Sequence, residues 1–159
     1  MSLPELKTPS VLVIGVGNAC QGDDAVGLIA ARELQQTNPG QFQVLEHDVD
    51  GLALIDCWGA AETVILIDAI QAGNEPGSIY RFDVSTEKLP YHTLRHSTHA
   101  ISIGDAIELA RVLNRLPPHM IVYAIEGQDF AAGANLSFSV QKAIPVLLER
   151  IRHETLLPP

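Results

Sequence analysis

The chain has 159 residues, two cysteines and a formal net charge of -9 at pH 7. This length suits one domain and is enough to bury most of the apolar surface without disulfides. Hydrophobic residues make up 47% of the sequence and charged residues 18%, which excludes a disordered chain. The acidic charge disfavours nucleic acid or an anionic membrane as partner, since only ten residues are Lys or Arg. We expect one folded domain over residues 1–159.

The first nine residues and the two cysteines bear on the compartment. Residues 1–9 are polar and contain prolines, so they do not form the apolar core of a secretory signal. Cys20 and Cys57 lie far apart, as in a reduced cytoplasmic protein. No apolar run approaches the roughly 20 residues that a membrane span needs. We therefore expect a cytoplasmic protein that does not insert into membranes and is a monomer rather than an oligomer.

Apolar runs rich in β-branched residues alternate with segments of helical period, which predicts βαβ units around a mostly parallel sheet. Continuously apolar runs predict strands buried on both faces at Val11–Gly15, Thr63–Asp68 and Met120–Glu126. A further strand is predicted at Phe42–Glu46. Ser78–Asp83 alternates polar and apolar residues, which predicts an edge strand that can be antiparallel.

Apolar stripes of helical period predict the remaining elements. The predicted helices are Asp24–Gln36, a short helix after Gly51, Ile103–Asn114 and Ser139–His153, the last kinked by Pro145. Together the elements predict an α/β fold, a three-layer α/β/α sandwich with a twisted, mostly parallel five-stranded sheet.

The segment Gly15-Val-Gly17-Asn18 follows the first strand and has two interpretations. As a dinucleotide-binding turn it would need a third glycine three residues after Gly17, where the chain has Cys20. The acids that follow would also repel a phosphate at the positive end of the helix. We therefore expect Gly15 and Gly17 to shape a tight turn that Asn18 hydrogen-bonds, and we rank a nucleotide-dependent oxidoreductase third among the functions.

Two adjacent acids, Asp23 and Asp24, begin the first predicted helix. Neighbouring side chains on a helix point about 100° apart, so the two cannot share one role. Asp23 is placed to be the N-cap of this helix. Asp24 then either projects into the crevice at the strand ends as a ligand or is a solvated acid of the first turn.

Two more polar residues are predicted near the same edge of the sheet. Asp68 ends a buried strand, where open α/β sheets collect functional groups; the alternative is an acid that begins a turn or caps a following helix. His99 precedes a helix, and a neutral imidazole is a common ligand for borderline metals. His96 competes with His99 for this role. Two carboxylates and one imidazole would form a metal site with open coordination positions.

The other histidines are expected to be ordinary surface or boundary residues: His47, His92, His119 and His153. The sequence has no HExxH motif and no GxSxG motif, which argues against a standard zinc protease or serine hydrolase.

Four segments, in the same order, resemble the hydrogenase maturation endopeptidases. They are GVGNACQGDDAVG at residues 15–27, VILIDAI at 64–70, STHAISIGDAIELA at 97–110 and YAIEGQDF at 123–130. The resemblance covers about Ser10 to Ile151. It implies an endopeptidase that removes a C-terminal extension from the nickel-loaded precursor of a [NiFe] hydrogenase large subunit.

The resemblance also implies the site residues and the metal. The three metal-contacting and catalytic residues would be Asp24, Asp68 and His99, with Asp23 and Asn18 supporting them. Many family members carry glutamate at the position of Asp24. The metal would be nickel presented by the substrate rather than a permanent cofactor. The alternative is a non-catalytic, nickel-dependent checkpoint or chaperone that binds the immature large subunit without cutting it.

Overall fold

The computed structural model describes residues 11–38, 40–48, 50–90 and 101–156. Its strands are β1 (Val11–Val16), β2 (Gln43–His47), β3 (Thr63–Ile70), β4 (Ile79–Asp83) and β5 (His119–Glu126). Its α-helices are α1 (Val26–Thr37), α2 (Gly51–Trp58), α3 (Ile103–Val112) and α4 (Phe138–Leu156). A 3-10 turn, Gly22–Ala25, precedes α1.

The five strands form one sheet in the order β2-β1-β3-β5-β4. β1 pairs in parallel with both β2 and β3, and β3 pairs in parallel with β5. β4 lies at the edge and is antiparallel to β5. The mostly parallel sheet is therefore confirmed, and the alternating strand is the antiparallel edge.

The two faces of the sheet are covered by different helices, which confirms the three-layer arrangement. Alternate strand residues point to opposite faces. Leu12, Leu66 and Val122 belong to the core that includes α2 and α3. Val13 and Ile65 belong to the core that includes α1 and α4. Among the described residues, none of the helices has the length and apolar character that crossing a membrane requires.

Several element boundaries differ from those predicted. β3 continues to Ile70, so Asp68 lies inside the strand rather than at its end. α3 ends at Val112, two residues early, because Asn114 adopts a left-handed conformation with φ 54°. The Arg115 amide then donates to the Ala110 carbonyl, which closes the helix end. α4 is one helix that includes Pro145. The kink expected at Pro145 stays a prediction.

Candidate functional site

A tight turn carries the chain from β1 to the acidic pair. Gly17 makes this turn possible, because a Cβ atom on it would lie 2.0 Å from the Asp24 carbonyl oxygen. The Asn18 amide donates to Asp24 Oδ2 at 3.1 Å. The Asn18 side chain in turn accepts from the Cys20 amide at 2.9 Å. The predicted role of Asn18 in the turn is confirmed, and the turn orients the Asp24 carboxylate.

The prediction that Asp23 caps the first helix is wrong. The 3-10 turn begins after Gln21, α1 begins after Ala25, and neither cap position makes a side-chain hydrogen bond. Asp23 is fully buried. Its carboxylate accepts four hydrogen bonds: from the amides of Gln128 (2.7 Å), Asp129 (3.0 Å) and Ser137 (2.7 Å), and from the Ser137 hydroxyl (2.8 Å).

Asp23 therefore binds the segment between β5 and α4 to the acidic turn. Burial raises the pKa of Asp23, but the hydrogen bonds from Asp129, Gln128 and Ser137 outweigh burial and hold that pKa below its usual value. The neighbouring Gly22 is in a left-handed conformation, with φ 55°, and a Cβ there would lie 2.3 Å from the Asp129 carbonyl oxygen. Only glycine permits this close contact.

Asp24 and Asp68 are brought together at the carboxyl edge of the sheet. Asp68 is the first β3 residue beyond the stretch paired with β1, which ends at the Gly15–Ile67 pair. Burial raises the pKa of Asp68, and the nearby Asp24 carboxylate raises it further, to about 8. The Ala69 amide donates a hydrogen bond to Asp68 Oδ1 at 2.8 Å, which by itself lowers the pKa of Asp68. Two carboxylates that disfavour each other's charge form an environment that a divalent cation would stabilise.

The third predicted ligand cannot be placed, because both His99 and its competitor His96 lie outside the described residues. Within the described part of the chain no three His, Cys, Asp or Glu side chains form a group that could hold a metal ion. The chain resumes at Ile101 against the start of α2, where a Cβ on Gly51 would lie 2.6 Å from Ile101 Cγ2. This contact is on the sheet face that α2 and α3 cover.

His47 lies at the same edge and was expected to be an ordinary boundary residue. His47 is the last residue of β2 and pairs with Val16 of β1. Gly15 pairs with Ile67 of β3, so the next residues along these two strands, Val16 and Asp68, also lie side by side. His47 and Asp68 are thus two strands apart, at about 10 Å between backbones. The His47 side chain is half-buried, and its buried Nδ1 atom has no hydrogen-bond partner among the described residues. His47 thus lies at the same edge of the sheet as the acidic pair, which the sequence pattern alone did not single out, but it does not form a metal-holding group with Asp24 and Asp68 among the described residues.

Glu126 is a second residue that sequence reasoning missed. It ends β5, is 1% exposed, and accepts hydrogen bonds from the amides of Ala72, Gly73 and Asn74. Its own carbonyl accepts from the Gly77 amide at 2.8 Å. A glutamate ending an apolar strand gave no local sign of this role. Glu126 fixes the loop over residues 71–77, just as Asp23 fixes the loop after β5.

The chain is similar to the proteins of one known family. The family model described as hydrogenase maturation protease matches residues 28–154. This range includes Asp68 and begins just after the turn that carries Asp24. The hydrogenase expression/formation protein HupD of Thiocapsa roseopersicina is 27% identical over 148 residues, which cover 89% of this chain. The chain spans 65% of the length of that relative.

Two solved structures share the fold. The hydrogenase maturating endopeptidase HybD from E. coli superposes with a TM-score of 0.76 at 22% identity, covering 91% of this chain and 90% of that one. The [NiFe] hydrogenase maturation protease HybD from Thermococcus kodakarensis gives a TM-score of 0.72 at 27% identity, covering 91% and 98%.

Proposed function

Because the chain belongs to the hydrogenase maturation protease family, we propose that it removes the C-terminal extension from the nickel-loaded precursor of a [NiFe] hydrogenase large subunit. The observation that carries this proposal is the pairing of Asp24 with Asp68. The Asp24 carboxylate lies in the turn after β1 and the Asp68 carboxylate in β3, and the two are close enough for Asp24 to raise the pKa of Asp68.

The donor set suits a nickel ion that the substrate already holds. Carboxylates and an imidazole are hard or borderline donors, and the proposed set contains no thiolate. Such a site binds nickel weakly by itself and more tightly when groups of the substrate complete the coordination shell. Nickel is therefore part of the substrate in this proposal, and Asp24, Asp68 and His99 are the residues that contact it.

The surrounding residues orient this site. The Asn18 amide holds one oxygen of Asp24, and the Ala69 amide holds one oxygen of Asp68. Asp23 and Glu126 fix the two loops that follow β5 and β3. The shape of these loops, over Gln71–Gly77 and Glu126–Asn135, would decide which hydrogenase precursor the protease accepts.

The proposal is tested by incubating the protein with nickel-loaded precursor, nickel-free precursor and precursor lacking the extension. We expect mass spectrometry to show loss of a C-terminal peptide from the nickel-loaded form alone. Stable binding of the nickel-loaded form with no cleavage would instead support the checkpoint function and overturn the protease assignment.

The same assay tests the metal-contacting residues. We expect Asp24→Asn and Asp68→Asn each to lower the processing rate at least about 100-fold, because each removes a ligand charge. The matched control is Glu33→Gln, which neutralises an exposed acid of α1 and should leave the rate unchanged. Assigning the imidazole requires His99→Ala, His96→Ala and His47→Ala in parallel. The His99 assignment is wrong if that variant is fully active and either of the others is not.

A further inference from the structure

A groove of about 490 Å³ lies between α4 and the chain that leads into β4. Residues 75–79 form one wall. The other wall is formed by α4 residues that follow one another at intervals of four and therefore share one face of the helix. They are Phe138, Lys142, Val146 and Arg150.

Apolar and basic side chains alternate along this helix face. Phe138 is 73% exposed and Val146 is 48% exposed. Lys142 Nζ lies 5.2 Å from the centre of the Phe138 ring, a cation–π contact. The face thus offers apolar contact area with positive charge beside it.

The basic residues of the groove differ from most other described basic residues in that they form no ion pair. Among the described residues, five arginines form ion pairs with carboxylates: Arg32, Arg81, Arg111, Arg115 and Arg152. The described basic residues outside these ion pairs are Lys88, Lys142 and Arg150. Two of those three line the groove, where the acidic residue is Glu75. In a chain of net charge -9, this concentrates unpaired positive charge in one place.

The groove is joined to the proposed metal site through its two walls. Phe138 follows Ser137, whose amide and hydroxyl both donate to Asp23. In the other wall, the Gly77 amide donates to the carbonyl of Glu126. The groove therefore begins beside the loops that Asp23 and Glu126 hold in place.

We propose that the groove binds an extended acidic segment of the precursor, with an apolar side chain against Val146, which lies between Lys142 and Arg150 on α4. This inference rests on the proposed function. Carboxylates of the segment would pair with Lys142 and Arg150, which are eight residues apart on α4 and so about 12 Å apart along the helix. An extended chain covers this distance in three to four residues, at about 3.3 Å each. The preferred segment therefore carries acids about four positions apart with an apolar residue between them.

The groove is tested with the charge reversals Lys142→Glu and Arg150→Glu. Lys88→Glu is the matched control, because it reverses one unpaired, exposed charge outside the groove. We expect each groove variant to raise the KM of processing, and the Kd for nickel-loaded precursor, about five- to tenfold, because an attraction becomes a repulsion. The kcat should stay the same, and Lys88→Glu should match the wild type in both constants. Thermal unfolding of each variant verifies that the fold is kept.

Cleavage and binding together separate the two proposals. If the wild type processes the precursor and the groove variants have unchanged KM and Kd, the groove assignment is wrong and the protease function stands. If the wild type binds without cleaving, and Lys142→Glu weakens that binding, the groove assignment stands and the protease function is wrong. No binding by the wild type would overturn both.

Discussion

Asp23 and Asp24 are adjacent, yet their carboxylates have opposite surroundings. Asp23 is fully buried and accepts hydrogen bonds from a segment more than 100 residues later. Asp24 is half-buried and approaches Asp68, a second carboxylate that disfavours its charge. A side chain saturated with donors supports structure, whereas one that faces like charge is suited to a cation.

We expect Asp23→Asn to destabilise the domain by about 2–4 kcal/mol. The variant replaces an acceptor oxygen with an NH₂ group that faces backbone amides, and it removes the charge that strengthens the remaining bonds. Urea denaturation at pH 7 measures the loss. Asp24→Asn is the matched control, and it should cost far less stability because Asp24 is only half-buried, whereas Asp23 is fully buried. Equal losses for the two variants would contradict the separate roles.

At the level of elements, hydrogen bonds of Glu154 connect the last turns of α4 to the sheet. Its carboxylate accepts from Arg81 of β4 at 2.8 and 2.6 Å and from the Tyr123 hydroxyl of β5 at 2.8 Å. The hydrogen bonds from Arg81 lower the pKa of Glu154 below 4.5, although burial opposes this change. Burial and the bond to Glu154 raise the pKa of Tyr123 to about 12. The cluster connects the edge strand to α4 at the end opposite Phe138.

The lowered pKa gives this cluster a defined pH dependence. Glu154 is charged in the folded and unfolded states above pH 4.5, so its full contribution is present there and is lost as pH falls through the lower folded value. We expect Glu154→Gln to cost about 1–2 kcal/mol at pH 7, an amount reduced by solvent screening because Arg81 is 44% exposed. The difference from wild type should shrink below pH 4.5, as measured by urea denaturation across pH.

Glu149→Gln provides the comparison on the same helix. Glu149 is an exposed acid paired with Arg152 three residues later, so its loss should change stability little at any pH. Other acids that titrate between pH 7 and strongly acid conditions are present in the wild type and in both variants, so their contribution to the free energy of unfolding cancels in the comparison. A wild-type advantage over Glu154→Gln that stayed constant from pH 7 to strongly acid conditions would contradict the assignment.

At the level of the whole molecule, the layered fold follows from patterns that are local in the chain. The runs VLVI at residues 11–14 and VILI at residues 64–67 are apolar at every position, because strands in the middle of a parallel sheet are covered on both faces. The residues of Ser78–Asp83 alternate, because β4 is an edge strand. The position of Asp68 beside the end of β1 was also predicted from its place after such a run, since β1 and β3 are neighbours in the sheet.

Features that depend on distant packing could not be predicted in this way. Asp23 was assigned as a cap because caps are recognised from the next few residues, whereas its partners lie in the loop before α4. His47 and Glu126 acquire their surroundings only when neighbouring strands meet. The groove exists because α4 packs beside the chain entering β4, and neither segment alone indicates it.

The hydrogen bonds of Asp23 join residues that are 105, 106 and 114 positions apart. A ribosome makes the segment with Asp24 more than 100 residues before the residues that support it. During translation the acidic turn is thus present without its support, and the loop closed by these contacts is among the longest in the molecule. The hydrogen bonds that hold Asp23 can therefore form only after the segment between β5 and α4 has been made.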